Sequence, residues 1–568
     1  MKSYKHSKLI PFLIIYLISY YTGFAQIKSS EESEIDKTFS SVNNPDLPGV
    51  AAGIIKDGEI IYLKGFGSAN METGTPITPQ TKFQLGELSK QFTTLAILLL
   101  EQQGVITLQE DIRNYLPELP EYPYHVTVGH LLNHSSGLYD VARLNDMING
   151  PGNVLNQAEA LELITSQKNL SFEPGTDFSF HEAITESVLM AEIVARKSEM
   201  SFSKFVKTEI FEPLGMNNSL IRDDRDAIIE NVAAPYQKEE EQYKKAEVLS
   251  NVVGAINAYS SAEDLAKWYL NYSKPNGTLG RLIQQLDTPV KLTNGKIFSY
   301  YWGKMAIGRE FTHPERGLPI FWNFGLQGGY GTNVFRYLDQ NIISFALGNN
   351  SEYNGSLAMM AIDPFVKDFY TIPTTIDINK LKTKKLSEKK LKAFEGYYWF
   401  QHAGYASHIF VENDTLRSKW MFSQRAAPLY TLTDNSFQMV GSNEDVRLFT
   451  FKKEANDMIL HFTYNDADAD IMKPYVPVQL SEQSLKNYVG TYYNEEYATL
   501  FSFTIEDKKL IAKNLAHTGI EFRSVSKDVF TSPTMFIPSI EFIREVGKIT
   551  GFKVNADGIH NFIFEKIN

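Results

Sequence analysis

The chain has 568 residues, a formal charge of −12 and no cysteine. The acidic balance argues against nucleic acid and anionic membrane surfaces as partners. The missing cysteines exclude disulfides, thiolate metal sites and a thiol nucleophile. Hydrophobic residues at 43% with aromatics at 13% describe a chain that folds throughout, and its length calls for at least two cores.

Lys2, Lys5 and Lys8 precede an apolar run from Leu9 to about Tyr21, followed by Gly23-Phe24-Ala25. That order predicts a secretory signal peptide over residues 1–25 and a soluble protein, secreted or periplasmic. The run is shorter than the ~20 residues of a membrane helix, so no span is expected after cleavage. Beyond a polar stretch from Ser29 to Asn44, Pro48–Ile55 reads as a strand and Ile60–Gly67 as its return. Lys56-Asp57-Gly58-Glu59 forms the hairpin turn between them.

In Phe83–Leu100, apolar residues recur at Leu88, Phe92, Leu95, Ala96 and Leu99, the spacing of a helix that buries one face. Gly104 is its natural stop. Glu87 and Lys90 lie three residues apart on one side of this helix. An ion pair between them is expected, and it would hold Lys90 protonated. Further along come His130-Leu-Leu-Asn-His134-Ser-Ser-Gly137 and Pro174-Gly-Thr-Asp-Phe-Ser-Phe180-His181-Glu182. The second of these leads into a helix with Val188, Leu189, Ile193 and Val194. Ile210–Met216 marks a helix end, and Ser261 with Asp264 suits a variant capping box. Trp322-Asn323-Phe324-Gly325 precedes Gly328-Gly329-Tyr330 and a pair of strands.

The lysine-rich stretch from Lys380 to Lys390 is a natural boundary, and a repeat follows it. Leu391-Lys-Ala-Phe-Glu-Gly396-Tyr-Tyr398 recurs as Leu485-Lys-Asn-Tyr-Val-Gly490-Thr-Tyr-Tyr493. Ile409–Leu416 recurs as Phe503–Leu510, and Phe437 corresponds to Phe530. Short alternating segments with Asn-Asp, Glu-Asp and Asp-Gly turns predict two antiparallel β modules, residues 385–475 and 480–568. Each has the size of a small lipocalin-like barrel, and packing or capping is its expected role.

These landmarks resemble the serine β-lactamase and penicillin-binding-protein-like family, in the branch with class C enzymes, D-Ala carboxypeptidases and related esterases. The resemblance implies an α/β (α+β) domain over residues 30–375, an antiparallel sheet flanked by helices. It also implies a Ser-x-x-Lys motif at a helix start, a Tyr-x-Asn motif and a His-x-Gly or Lys-Thr-Gly motif. The lysine is present as Lys90, but Glu87 stands at the serine position. Phe180 and Glu182 stand for the tyrosine and asparagine, and Asn323 for the basic residue. Phe180 has no hydroxyl to move a proton. The two histidines are structural by the same resemblance. Chance matches to these motifs at Ser201–Lys204, Ser387–Lys390, Tyr492–Asn494 and His517–Gly519 lie in other contexts, and Ser89 points ~200° round the helix from Glu87.

The expectation is therefore a family member impaired for serine acyl transfer. It would bind a small molecule or peptide, including peptidoglycan-derived fragments, without cofactor or metal. Two alternatives stand beside it. One is a hydrolase of ester, amide or β-lactam substrates with altered residues, using Glu87 with Glu182. The other is a purely structural exported protein.

Overall fold

In the computed structural model, the described residues are 27–567 apart from 180–182, 248–249, 301–302, 373–376, 401–403, 422, 424, 441–444 and 466. The predicted signal peptide and the motif positions Phe180 and Glu182 lie outside the described residues.

An eight-stranded antiparallel sheet organises the first domain. Its strands are β1 (Val50–Lys56), β2 (Glu59–Phe66), β3 (Ser299–Tyr300), β4 (Gly303–Met305), β5 (Phe311–Glu315), β6 (Leu318–Gln327), β7 (Tyr330–Tyr337) and β8 (Ile342–Gly348), in the order β3-β4-β5-β6-β7-β8-β1-β2. The β1–β2 turn has positive φ at both central residues, Asp57 (52°) and Gly58 (72°), which matches the twist of the strands. β1 is buried on both faces because its alternate side chains enter different cores. Ala51 and Ile55 join the large helical core, whereas Val50, Ala52 and Ile54 pack with Ile35, Phe39, Leu357 and Ile362.

The helical layer contains α1 (Lys90–Gln102), α2 (Val141–Asn149), α3 (Ile184–Ser198) and α4 (Ala262–Ser273). The expectation that α1 buries a single face is corrected here, since Lys90 through Leu100 are all buried. Its polar positions are satisfied by distant partners: Thr93 Oγ1 donates to the Gly254 carbonyl (2.6 Å), and Thr94 Oγ1 to that of Ile307 (3.2 Å). After α1 the chain turns at Gly104, φ 72°, whose N–H donates to Glu101.

Two closed eight-stranded barrels follow, the first from Gly396 to Tyr475 and the second from Gly490 to Lys566. The repeat seen in the sequence is a repeat in space. Tyr398 Oη donates to the Phe394 carbonyl (3.0 Å), and its counterpart Tyr492 Oη donates to that of Tyr488 (2.8 Å). Phe437 and Phe530 occupy the fifth strand of their barrels, fully buried, edge-on to Phe394 and Tyr488 respectively. Two-residue turns at Asn413-Asp414 and Asp507-Lys508, all at positive φ, close the equivalent hairpins. No helix among the described residues is long and apolar enough to cross a membrane.

Candidate active-site cleft

Glu87 is the second residue of a 3₁₀ turn, Gly86–Ser89, that leads into α1. This turn presses against the end of β6. The approach needs two glycines: a Cβ on Gly86 (φ 57°) would lie 3.0 Å from Leu326 N, and one on Gly325 would lie 2.0 Å from the Leu85 carbonyl oxygen. The Glu87 side chain, 9% exposed, reaches the same strand, and its Oε2 accepts a hydrogen bond from the Leu326 N–H (2.9 Å).

The expected Glu87–Lys90 ion pair is not formed. Among the described residues the Glu87 carboxylate is taken by the Leu326 backbone donor, which the close turn-to-strand contact brings nearer than the ammonium. Lys90 opens α1 and is 2% exposed, and its positive charge bears on His134 and Glu186. His134 is buried with φ 50°, and burial, together with the positive charges of Lys90 and Arg309, pushes its imidazole well below the ordinary range. It is therefore neutral. His130 serves the backbone, where its Nδ1 accepts from Thr127 N (3.2 Å) at the start of a short helix.

The flanks of the second motif are described on both sides. Ser179 N donates to the His134 carbonyl (2.8 Å), and Phe178 packs edge-on against Phe298. After the motif, Ala183 adopts φ 43° and Ile184 N donates to Asp140 Oδ2 (3.0 Å). Asn323 is fully buried on β6, on the same face as Gly325 and opposite to half-buried Trp322 and Phe324. Its Oδ1 accepts from Phe324 N (2.8 Å), and among the described residues its Nδ2 has no hydrogen-bond partner. β6 thus carries the third motif past the turn that holds Glu87.

The family model described as Beta-lactamase matches residues 35–363, more than half of the chain. The protein belongs to the beta-lactamase family. It is 26% identical over 441 residues to penicillin-binding protein 4* of Bacillus subtilis, covering 72% of this chain and 92% of that one. A D-aminopeptidase of Gluconobacter oxydans is 27% identical over 272 residues, covering 47% of this chain and 50% of its own length. The structure of an octameric penicillin-binding protein homologue from Pyrococcus abyssi shares the fold, with a TM-score of 0.52 and 24% identity. That match covers 78% of this chain and 99% of the other.

Within this beta-lactamase-family domain, two buried charged residues escaped the sequence reading. Glu186 on α3 accepts from Ser136 Oγ (2.8 Å), and burial pushes its carboxyl up to about 7 despite that bond and the nearby Lys90 charge. A carboxylate just before the apolar stretch Val188–Ala191 was the available signal. Arg309, 5% exposed at φ 57°, donates from Nη1 to the Phe324 carbonyl (3.2 Å) and lies 5.1 Å from the Phe324 ring centroid. No local pattern marks it. The chance motifs are engaged elsewhere: Ser89 Oγ donates to Gly86 O (2.6 Å) and accepts from Ala258 N, Ser201 caps a helix through Lys204 N, and His517 faces carbonyls of α2.

Proposed function

We propose that this beta-lactamase-family protein binds a small peptide-like or cell-wall-like molecule in its cleft and does not form a serine acyl-enzyme. The observation that carries this reading is the Glu87 carboxylate on the Leu326 N–H. Backbone donors at such a turn–strand junction serve acyl transfer when they face the oxygen that becomes negative in the transition state. A carboxylate held there competes with that oxygen for the donor, and residue 87 brings no hydroxyl to attack with. Loss of a serine nucleophile costs about 10⁶ in turnover, roughly 8 kcal/mol. Lys90, Phe180, Glu182 and Asn323 would then act as lining groups that orient a ligand. The names of the relatives, a penicillin-binding protein and a D-aminopeptidase, favour peptide and β-lactam-like ligands. Export to the periplasm or beyond is part of the same reading, resting on the amino-terminal pattern.

Intact-mass spectrometry after incubation with a β-lactam and with a fluorophosphonate tests this directly. The wild-type protein should stay unlabelled, and Glu87→Ser alone should react slowly. Each remaining missing proton-handling or electrostatic group is worth about 10²–10⁴ in rate. Adding Phe180→Tyr, Glu182→Asn and Asn323→His should raise labelling stepwise. Stoichiometric labelling of a cleft serine in the unmodified protein would overturn the reading.

A second reading is favoured by the buried Glu186, whose carboxyl is pushed up by burial despite the charge of Lys90. In that reading Glu87 activates a water molecule and the protein remains a hydrolase. Turnover of an ester, amide and glycoside panel by the wild type, lost in Glu87→Gln, would establish it.

A further inference from the structure

The second barrel and the helical layer share a core. Tyr139, Leu144 and Met147, on and just before α2, are buried with Tyr492, Phe501 and Phe562 of the barrel. Around this apolar contact, His517 Nε2 lies 2.9 Å from the Asp146 carbonyl oxygen, Asn514 Nδ2 donates to that of Met147 (3.4 Å), and His560 N donates to Ser171 Oγ (3.1 Å).

Asp140 stands at the centre of the junction. Its N–H donates to the Gly558 carbonyl (2.9 Å) in the turn before the last barrel strand, Ile559–Lys566. Its Oδ1 caps α2 by accepting from Ala142 N (3.1 Å) and Arg143 N (3.0 Å), while Oδ2 accepts from Ile184 N (3.0 Å). That last bond matters because α3 has no cap of its own: Ala183, at the cap position, has a left-handed backbone and no side-chain oxygen. Thr185 reinforces the link, donating to the Tyr139 carbonyl and accepting from Val141 N, both at 2.8 Å. Gly558 has φ 78°, and a Cβ there would lie 2.8 Å from the Asp140 Cβ.

We infer that the second barrel sets the amino-terminal end of α3 through Asp140, a cap supplied from 44 residues away in sequence and itself held by the Gly558 turn. The wall of the cleft that carries Glu186 on Ser136 is positioned by a module outside the family domain. Asp140 is a positioning residue in this arrangement. The inference does not depend on which ligand or reaction the cleft serves.

Hydrogen exchange of the full-length protein, read by mass spectrometry, tests it. In Gly558→Val and in Asp140→Ala, exchange across 184–188 should rise at least tenfold while β1 and β8 keep wild-type protection. Asp140→Asn, which keeps only one accepting oxygen for the two helix ends, should give exchange at 184–188 between that of wild type and that of Asp140→Ala. Tyr397→Ala on the first barrel should leave 184–188 unchanged. If Gly558→Val does not fold, His517→Ala is read in the same way. Wild-type exchange at 184–188 in a variant whose barrel strands have loosened would overturn the inference. So would uniform loosening of the whole first domain.

Discussion

Two buried charge clusters flank the first turn of α1, and adjacent residues point into them. Successive helical side chains diverge by ~100°, so Lys90 turns to the cleft and Gln91 to the other side. On the Gln91 side, the amide Oε1 accepts from Trp268 Nε1 (2.8 Å) and Nε2 donates to Glu310 Oε1 (2.9 Å). Arg336 donates from Nε to Glu310 Oε2 (2.8 Å) and from Nη2 to Asp287 Oδ1 (2.5 Å), with its guanidinium 3.8 Å from the Tyr272 ring centroid. Burial opposes the charge on Arg336, but the Glu310 and Asp287 carboxylates outweigh it and keep the guanidinium protonated. On the cleft side the carboxylates are differently placed. Glu87 is bound by a backbone donor and Glu186 by a serine hydroxyl, rather than by a guanidinium fork. Paired charges that satisfy one another make a clamp, whereas carboxylates held singly by neutral donors keep capacity to meet a ligand.

The sharpest way to break this comparison is to remove the cation from the paired cluster. Arg336→Met leaves Glu310 and Asp287 buried without their counter-charge, and about 3–5 kcal/mol of stability should be lost. Chemical denaturation of the first domain measures it. Adding Glu310→Leu should recover part of that loss, because it removes the buried carboxylate left without its partner. If Arg336→Met costs less than about 1 kcal/mol, the cluster is not a clamp and the contrast with the cleft collapses.

The cleft carboxylate should respond to pH, as should Glu310, whose carboxyl burial also pushes up to about 7. Folded Glu186 keeps its proton up to about 7, whereas the unfolded side chain releases it near its ordinary value of 4.5. Between these values the folded state binds more protons than the unfolded one, so stability falls as pH rises through the window. The span corresponds to about 3 kcal/mol at most. Glu186→Gln should flatten this part of the profile and gain relative to wild type above pH 7, while keeping a partner for Ser136 Oγ. Denaturation curves at pH 5 and pH 7.5 decide the matter; an unchanged slope in the Gln variant would place the titrating group elsewhere.

Much of the frame was legible in the chain because it depends on neighbours in sequence. Asp57-Gly58 and Gly104 announce backbone conformations that few other residues tolerate, and both turn where expected. The barrel repeat was visible because each copy must fill the same interior, with Tyr398 and Tyr492 making the same bond. Glu87 could be placed at the helix start for the same reason. Its partner could not, since Leu326 lies 239 residues away and meets Glu87 only once Gly86 and Gly325 allow turn and strand to touch. The same holds for α1. Gln91, Thr93 and Thr94 look like a solvent face until Trp268, Gly254 and Ile307 arrive from far along the chain. Periodicity reports a helix's apolar stripe, but only the tertiary fold reveals what covers its polar side.

The smallest expected effect falls on the residue that most distinguishes the cleft. Glu87→Gln keeps an oxygen able to accept from Leu326 N–H and changes little in shape. A hydrogen bond to a charged acceptor contributes about 1.5–3 kcal/mol and a neutral one about 0.5–1.5, so the substitution should cost about 1 kcal/mol. A much larger loss would mean that the carboxylate is bound by more than the Leu326 donor. A gain would mean that its negative charge is a burden in the cleft that the Leu326 donor does not offset. The same variant separates the two functional readings, because Gln cannot take a proton from water. If wild type hydrolyses any member of an ester, amide and glycoside panel and Glu87→Gln does not, Glu87 is a base. If neither turns over substrate and the Gln variant loses only this small increment of stability, the carboxylate does no more than occupy the donor at the end of β6.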